Sequence, residues 1–454
     1  MFSLIIAHDN KNGIALNGKI PWTYPEDLKW FKYATTQIYK KNVIVMGYNT
    51  WKTIYKPLPN RLNIVISKNH LPNNEEILWI NENKLQFYKS PQELLLNSNY
   101  NNHYWIIGGK QIYDWFINNN LIDKMYITEI NADFNCNLKF IFNKNEWILS
   151  KNNINPFISD LNIYIKINNE EQNLLNVIND IIKNGNEREE RTGVGTKAIF
   201  GGQLHFNLNN FPLMTSRSHS LRFIFEELMW ILRGERDVKI LEEKKINIWT
   251  PNSTQEFINK QNLDISILEG DIGESYGHNM RMFTGTDNKP YDQLENVLYL
   301  LKNNPNSRRI IICLWNPAGV KRAALPPCLC WYQFFVRKIN NIQFLDCQAM
   351  NRSSDILVAG GWNIATASLL TYILAKATNM IPGKLSWVYG DAHIYLNNIN
   401  SAKELVKRTP VEYPKLFIKK NINSISDIVN LTFEDLLLLN YNPVKPQIKM
   451  MMNA

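Results

Sequence analysis

The sequence predicts an α/β protein of two successive domains, a smaller one over residues 1–168 and a larger α+β one over 169–454. Three observations predict it. Residues 1–168 alternate short apolar runs with more polar, amphipathic segments, the texture of strands sandwiched between helices. From about Glu171 the texture changes to longer and more apolar helices set between strand runs. Between the two, only residues 168–171 remain as a linker, and no internal repeat is visible. The composition, 45% apolar and 20% charged over 454 residues, leaves enough side chains for two cores and excludes wholesale disorder.

In the first domain FSLIIAH opens as a strand. PEDLKWFKYATTQ reads as a helix, with Leu28, Phe31 and Lys32 spaced on one side. KNVIVMG and LNIVIS are continuous apolar runs, as in strands covered on both faces. HYWIIGG is a further strand, followed by the helix KQIYDWFI and the strand MYITEI. WILSK and LNIYIKIN close the domain as a hairpin pair, which gives a mostly parallel centre with an antiparallel end. In the second domain EEQNLLNVINDIIKNG is an amphipathic helix with apolar residues at 174, 175, 178, 181 and 182. LRFIFEELMWILRG and NIATASLLTYILAKATN are apolar helices. RRIIICLWN, WYQFFVR and IQFLDCQAMNR are strands, and LSWVYGDAHIYLNNINSAKELVKR is a strand running into a helix.

No run of about 18 uncharged apolar residues occurs, so no membrane span is expected. The amino terminus lacks a basic lead-in and a small-residue cleavage site, so no signal peptide is expected. The five cysteines, an odd number in a large chain, suggest a cytoplasmic or other reducing compartment without a disulfide framework. Cys328 and Cys330 form CLC, which lacks the spacing of a zinc knuckle, and no metal site is expected. Net charge is +9, with +5 falling in residues 1–168 and +4 in the remainder. That even spread fits small anionic substrates as well as nucleic acid, which is not required.

Asp27 falls on the first turn of its helix. Alone, such an acid only complements the helix dipole. Here Trp22, Leu28 and Phe31 would line an apolar pocket around the carboxylate, which could then grip the amidine-like edge of a 2-amino-4-oxopteridine. Desolvation would raise its pKa and suit it to assist protonation. Residues 1–168 hold 17 lysines and a single arginine, Arg61. A lone planar fork among lysines hints at bidentate recognition of a carboxylate. IIGGKQIY sets Gly108 and Gly109 between a strand and a helix, and VMGYNTW supplies a second such turn with Gly47 and Thr50. Each alone is a tight turn; two together suggest a dinucleotide.

IPWTYPEDLKWFK, VIVMGYNTWKTI, KPLPNRLNIVIS and WIIGGKQIY, in this order and over essentially all of residues 1–168, resemble dihydrofolate reductase. The resemblance implies that Asp27 binds the pterin with support from Thr128, and that Trp22 orders nearby water. Phe31 would meet the benzoyl ring and Arg61 the glutamate α-carboxylate. Ala7 and Ile14 would meet the nicotinamide of NADPH, and Gly47, Thr50, Ser67, Gly108, Gly109 and Gln111 would line its cleft. Tyr48 stands where the family often has a basic residue, so the 2′-phosphate would fall to Lys68 or Lys110.

LPPCLCWYQFF puts Cys328 just before a strand, after two prolines. A buried structural cysteine is the plain reading. A nucleophile needs nearby positive charge to become thiolate. SRRIII, NRSSD and ERTGVGT supply Arg308, Arg309, Arg352 and Arg191, and with Ser353 these make a plausible phosphate cage. Asn363 begins an apolar helix, where it could be an N-cap; its amide could equally match uracil O4 and N3–H together. His393 and Tyr395 alternate on one face of a strand and could reach a ribose hydroxyl.

FPLMTSRS, EELMWILRG, SRRIIICLWNP, LPPC, NRSSDILVAGGWNIA and GDAHIYLNN, over residues 171–454, resemble thymidylate synthase. The tandem order resembles the bifunctional dihydrofolate reductase–thymidylate synthase of protists, plants and some large DNA viruses. By that resemblance Cys328 adds to C6 of dUMP, and C5 then attacks the methylene of 5,10-methylenetetrahydrofolate. Glu227 would order the water that shuttles protons, and Tyr276 would line the site. Asn363 would orient the base. Asp355 would meet substrate and folate, and Trp249 the folate. Arg191, Arg352 and Ser353 would hold the phosphate. Arg308 and Arg309 would reach in from a second subunit, which implies a homodimer. The family usually has His where this chain has Leu329, Gly where it has Ala359, and a second basic residue where Ser218 follows Arg217. Two other readings stay open. One is deoxycytidylate hydroxymethylation, which Asn363 argues against. The other is an RNA- or partner-binding module with a degenerate reductase half, which intact Asp27 argues against.

Overall fold

The computed structural model describes residues 2–37, 41–99, 102–119, 121–149, 161–166, 169–190, 192–285, 289–339 and 342–452. The chain divides into two compact units, Met1–Ile167 and Asn168–Ala454.

The first unit runs β1 (Phe2–Asp9), β2 (Gly13–Ala15), α1 (Pro25–Gln37), β3 (Asn42–Gly47), α2 (Tyr48–Ile54), β4 (Leu62–Ile66) and α3 (Asn74–Asn81). It continues with β5 (Leu85–Tyr88), α4 (Pro91–Leu96), β6 (His103–Gly108), α5 (Lys110–Asn118), β7 (Lys124–Ile130), β8 (Leu138–Lys139), β9 (Trp147–Leu149) and β10 (Leu161–Lys166). Eight strands form one sheet in the order β5-β4-β3-β6-β1-β7-β10-β9. All neighbours are parallel up to β7, and β10 and β9 are antiparallel, as the sequence predicts. Strand alternation explains the two apolar clusters. Val43 and Val45 of β3 enter one, and Ile44 and Met46 enter the other.

The sheet brings the candidate residues together. In the β1–β7 register Ala7 lies opposite Thr128. In the β3–β6 register Met46 lies opposite Gly108, so the two glycine turns end side by side. On α1 the expected inward side differs. Trp30, Ala34 and Thr35 are buried, whereas Leu28 is 63% exposed. The larger aromatic at position 30 takes the core, Phe31 packs partly buried at its margin, and Leu28 is left outside it. Helices α3 and α4 and strand β5 lie in a polar stretch that the periodicity does not mark.

The second unit is built on a six-stranded sheet. Its order is Asn186–Arg188, Thr196–Asn207, Ile381–Tyr395, Ile342–Asp355, Leu329–Ile339 and Ile311–Cys313. The Ile342–Asp355 and Ile381–Tyr395 strands are parallel and the other neighbours antiparallel. The helix Gly361–Ala377 packs across it, nearly every residue buried. Against the expectation that no such run exists, Ile356–Ala377 is long and apolar enough by composition to cross a membrane, but 78% of its apolar window is buried within the protein, as in a core helix. The helix Asn169–Asn184 buries Leu174, Leu175, Ile178 and Ile181, four of the five apolar positions its period marks. Ile342–Asp355 runs three residues past the expected strand end at Arg352, so Arg352 sits within the ladder rather than at its end.

Candidate active sites

In the first unit the Asp27 carboxylate is held on the first turn of α1, where Thr128 Oγ1 donates a 2.6 Å hydrogen bond to Oδ1. Burial raises its pKa, and the bond from Thr128 partly opposes that. Trp22 packs its ring 5.2 Å from that of Phe134. Arg61 is buried. Its Nε donates to Pro59 O at 3.1 Å, its Nη1 donates to Thr35 Oγ1, and its guanidinium lies 5.9 Å over the Phe31 ring. Burial lowers its pKa, and among the described residues it has no carboxylate within ion-pair distance. Phe31 and Arg61 therefore meet, with a buried fork available to an acid.

Gly47 precedes α2 and Gly109 precedes α5, each without a side-chain cap. Gly108 has φ +117°, which suits glycine, and a Cβ there would stand 3.1 Å from the Tyr113 ring. A Cβ on Gly47 would stand 3.0 Å from Ile112, and one on Gly109 3.4 Å from Thr50 Oγ1. The two turns form a cradle that a side chain would fill, at an α5 N-terminus without a side-chain cap, and this fits a diphosphate. Gln111 lies on that first turn of α5. Lys110 Nζ is bound to Asp114 Oδ2 at 2.6 Å, whereas Lys68, next to Ser67, is exposed. The Tyr48 ring lies tilted with its centroid 4.4 Å from that of His70, and that histidine binds Glu76 at 2.7 Å.

Sequence reasoning missed Asp9. It is fully buried and accepts from the backbone N–H groups of Lys11 (2.9 Å), Gly13 (2.6 Å) and Phe134 (3.2 Å). These bonds fix the segment that carries Ile14. Nothing but its place at a strand end could have marked it.

In the second unit Cys328 directly precedes the strand Leu329–Ile339. Arg352 Nη2 lies 3.9 Å from Cys328 Sγ, while its Nε and Nη2 donate to Pro327 O (2.9 Å) and Pro326 O (3.1 Å). The same guanidinium lies 5.0 Å over the Trp315 ring. One arginine thus clamps the LPPC turn and sets a fixed positive charge beside the sulfur, which favours thiolate over thiol. The Tyr276 hydroxyl accepts from Cys328 N at 2.7 Å.

Glu227 accepts from Trp249 Nε1 (2.8 Å) and Trp362 Nε1 (2.6 Å), and burial raises its pKa against those two bonds. Trp249 is 8% exposed and reaches the site through this carboxylate. Trp362 was missed; the run GGWN was read only for its asparagine. Asp355, capping Val358 N at 3.1 Å, is raised to about 6 by burial. His393 Nδ1 lies 2.9 Å from Asp391 Oδ1, and its ring is 5.5 Å from that of Tyr395.

Asn363 is half-buried on the first turn of its helix, and Gly360 rather than Asn363 is the N-cap. Ser353 lies beside Arg352 on the same strand. Arg308 and Arg309 are exposed, with no ion pair among the described residues. Arg191 lies outside the described residues. Arg217 Nη1 donates to Leu357 O at 3.0 Å and meets Met450 Sδ at 2.7 Å, which ties it to the carboxyl-terminal tail, where Ile448 is buried.

Comparison with known proteins gives matches in both units. A family model described as dihydrofolate reductase matches residues 1–167, and one described as thymidylate synthase matches residues 172–454. A bifunctional dihydrofolate reductase-thymidylate synthase of Paramecium tetraurelia is 36% identical over 467 residues, covering 97% of this chain and 96% of the relative. The protein of that name from Leishmania major is 33% identical, covering 99% and 95%. One from Arabidopsis thaliana is 33% identical, covering 98% and 87%.

Proposed function

The chain belongs to the bifunctional dihydrofolate reductase–thymidylate synthase family, and on that premise we propose how its own side chains divide the two reactions. The enzyme converts dUMP to dTMP through a covalent cysteine adduct, with 5,10-methylenetetrahydrofolate as donor, and it reduces the dihydrofolate so released with NADPH. In this reading the reductase domain is residues 1–168 and the synthase domain 169–454.

Cys328 is the nucleophile. Arg352 stabilises its thiolate, and addition to C6 of dUMP makes C5 an enolate-like nucleophile that neutral uracil could not supply. Asn363 orients the base through an amide that both donates and accepts. Arg191, Arg352 and Ser353 take the phosphate, and His393 and Tyr395 the ribose. Glu227 moves the proton from C5 through ordered water. Asp355, held partly protonated by burial, meets base and folate. The observation that carries this reading is the 3.9 Å approach of Arg352 to the Cys328 sulfur by a guanidinium already fixed on two prolyl carbonyls.

In the reductase domain Asp27, with Thr128, grips the pterin and favours its protonation. Trp22 orders water beside it. Leu28 and Phe31 face the benzoyl ring, and Arg61 takes the glutamate α-carboxylate. Ala7 and Ile14 flank the nicotinamide. Gly47, Thr50, Ser67, Gly108, Gly109 and Gln111 line the cleft, and Lys68 takes the 2′-phosphate in preference to Lys110, which Asp114 already neutralises. NADPH supplies the hydride.

We place the protein as a homodimer in a reducing compartment. Among the described residues none of its five cysteines is joined in a disulfide. By strand alternation Trp331, Gln333 and Phe335 share the sheet face opposite the core, and Phe335 is 65% exposed. Exposed Arg308 and Arg309 are the residues such a partner would receive.

Mixing the enzyme with 5-fluoro-dUMP and methylenetetrahydrofolate tests the synthase assignment. A covalent adduct on the LPPC peptide is expected by mass spectrometry. Cys328→Ala should abolish both adduct and dTMP formation while NADPH oxidation with dihydrofolate continues. An adduct elsewhere, or none, would remove Cys328 from its role.

A further inference from the structure

Glu227 stands between two indoles drawn from distant parts of the chain. Trp249 Nε1 reaches Oε1 at 2.8 Å and Trp362 Nε1 reaches Oε2 at 2.6 Å, the latter across 135 residues. Glu227 lies on the helix Leu221–Leu232, and Trp362 lies on the first turn of Gly361–Ala377, directly before Asn363. An indole N–H only donates, so two of them, one on each oxygen, complement an ionised carboxylate better than a protonated one. Together they also fix the plane of the carboxylate, since rotation about its last bond would break both contacts.

We propose that Trp362 is a positioning residue of methyl transfer, holding Glu227 in plane and in register with the base-reading Asn363. The inference rests on the reading of Glu227 as the proton shuttle. A packing role alone would need the ring and not its N–H. The geometry favours the N–H, because this bond is the shorter of the two that Glu227 accepts.

Burial pushes Glu227 up and the indoles pull it down. Other titratable groups face the same place. Tyr276 interacts electrostatically with both Glu227 and Cys328, and Tyr332, on the strand Leu329–Ile339, with Glu227. His219, whose ring is 6.4 Å from Trp362, is lowered to about 3 by burial and stays neutral. None of these supplies a counter-charge to Glu227, so the two donors are what oppose its desolvation.

The test is Trp362→Phe in the full-length enzyme, which removes the N–H and keeps a ring. Tritium release from [5-³H]dUMP with methylenetetrahydrofolate reports removal of the C5 proton. The kcat for release should fall about tenfold, the size of a lost hydrogen bond to a charged group. KM for dUMP should stay within about twofold, because the N–H touches Glu227 and not the nucleotide. The limb of the pH profile that requires ionised Glu227 should move to higher pH, since a donor to the charged form is gone. Dihydrofolate reduction by the same protein should be unchanged, and the retained KM for dUMP reports that the unit holding Trp362 is folded. Trp249→Phe should shift the profile in the same direction. A wild-type kcat and profile in Trp362→Phe, beside an inactive Glu227→Gln, would overturn the proposal and leave Glu227 in place. Full activity in Glu227→Gln would overturn the reading beneath it.

Discussion

Thr128 and Asp27, 101 residues apart in sequence, are joined by a 2.6 Å hydrogen bond in which the hydroxyl donates to the carboxylate. The parallel pairing of β1 with β7 makes this possible, because it carries Thr128 to the level of Ala7 at the sheet centre. The bond offsets part of the desolvation that raises the Asp27 pKa, and the sum is still a raised value.

That sum has a consequence for stability. A carboxyl whose folded pKa is raised contributes stability that is fully present below its unfolded pKa of roughly 4 and is lost as pH rises through the folded value. At neutral pH Asp27 is therefore a destabilising group kept for chemistry. Asp27→Asn should raise the melting temperature at about pH 7 and leave it unchanged at about pH 3, where both states are protonated. NADPH-dependent reduction should be abolished. Calorimetry of the two proteins at both pH values checks this, and a lower melting temperature at neutral pH would contradict it.

Lys68 and Lys110 separate on their partners. Lys110 is bound to Asp114 across one helical turn, while Lys68 is exposed. Lys68→Ala should raise KM for NADPH about tenfold, the order of one charge-assisted contact, and leave any KM for NADH unaltered. Lys110→Ala should change KM for NADPH less than about threefold, because its charge is already neutralised. Steady-state oxidation at several NADPH and NADH concentrations measures both. A larger effect at Lys110 would reverse the assignment.

The sheet strands and long helices were legible because their apolar runs are long and regular. β3, with Asn42–Gly47, and the helix Leu221–Leu232 need little else to define them. The LPPC, GGWN and GDAH runs marked Cys328, Asn363 and His393 by local chemistry. What was not legible is long-range or weakly patterned. α3 and α4 lie in a polar stretch and are set by caps, with Asn73 bonded to Glu76 N and Ser90 to Glu93 N. The inward face of α1 turned on Trp30, which the apparent stripe of Leu28 and Phe31 concealed. The second indole on Glu227 and the loop-fixing bonds of Asp9 join residues far apart in sequence, and no period or motif encodes such pairs.

Asn363 offers a test of base selection. Its amide is half-buried and has no hydrogen-bond partner among the described residues, so both donor and acceptor remain for a base. An ionised Asp at this place would only accept, which suits the cytosine amino group and repels uracil O4. Asn363→Asp should lower kcat/KM for dUMP about a hundredfold and give measurable methylation of dCMP, since an unmatched buried polar group is costly. Competition between the two nucleotides, read by chromatography of the products, decides it. Unchanged preference for dUMP would move base recognition elsewhere.

Glu171 connects stability to the same synthase site. It is fully buried, and its two oxygens accept from Thr215 N, Thr215 Oγ1, Ser216 N and Ser216 Oγ at 2.6–3.0 Å. Burial raises its pKa despite these bonds. The residues it holds lead directly to Arg217, which in turn holds Leu357 O and Met450 of the tail. Glu171→Ala would leave several buried donors unmet at once. A loss of about 3 kcal/mol or more is expected, since each stranded group costs on the order of 1–3 kcal/mol. Because Glu171 belongs to the second unit, dTMP formation should be lost on heating at a lower temperature than in wild type, while dihydrofolate reduction keeps its own midpoint. Parallel activity assays after graded heating measure the two midpoints. If both fell together, the units would unfold as one, and the stabilising role of Glu171 would extend beyond the domain that contains it.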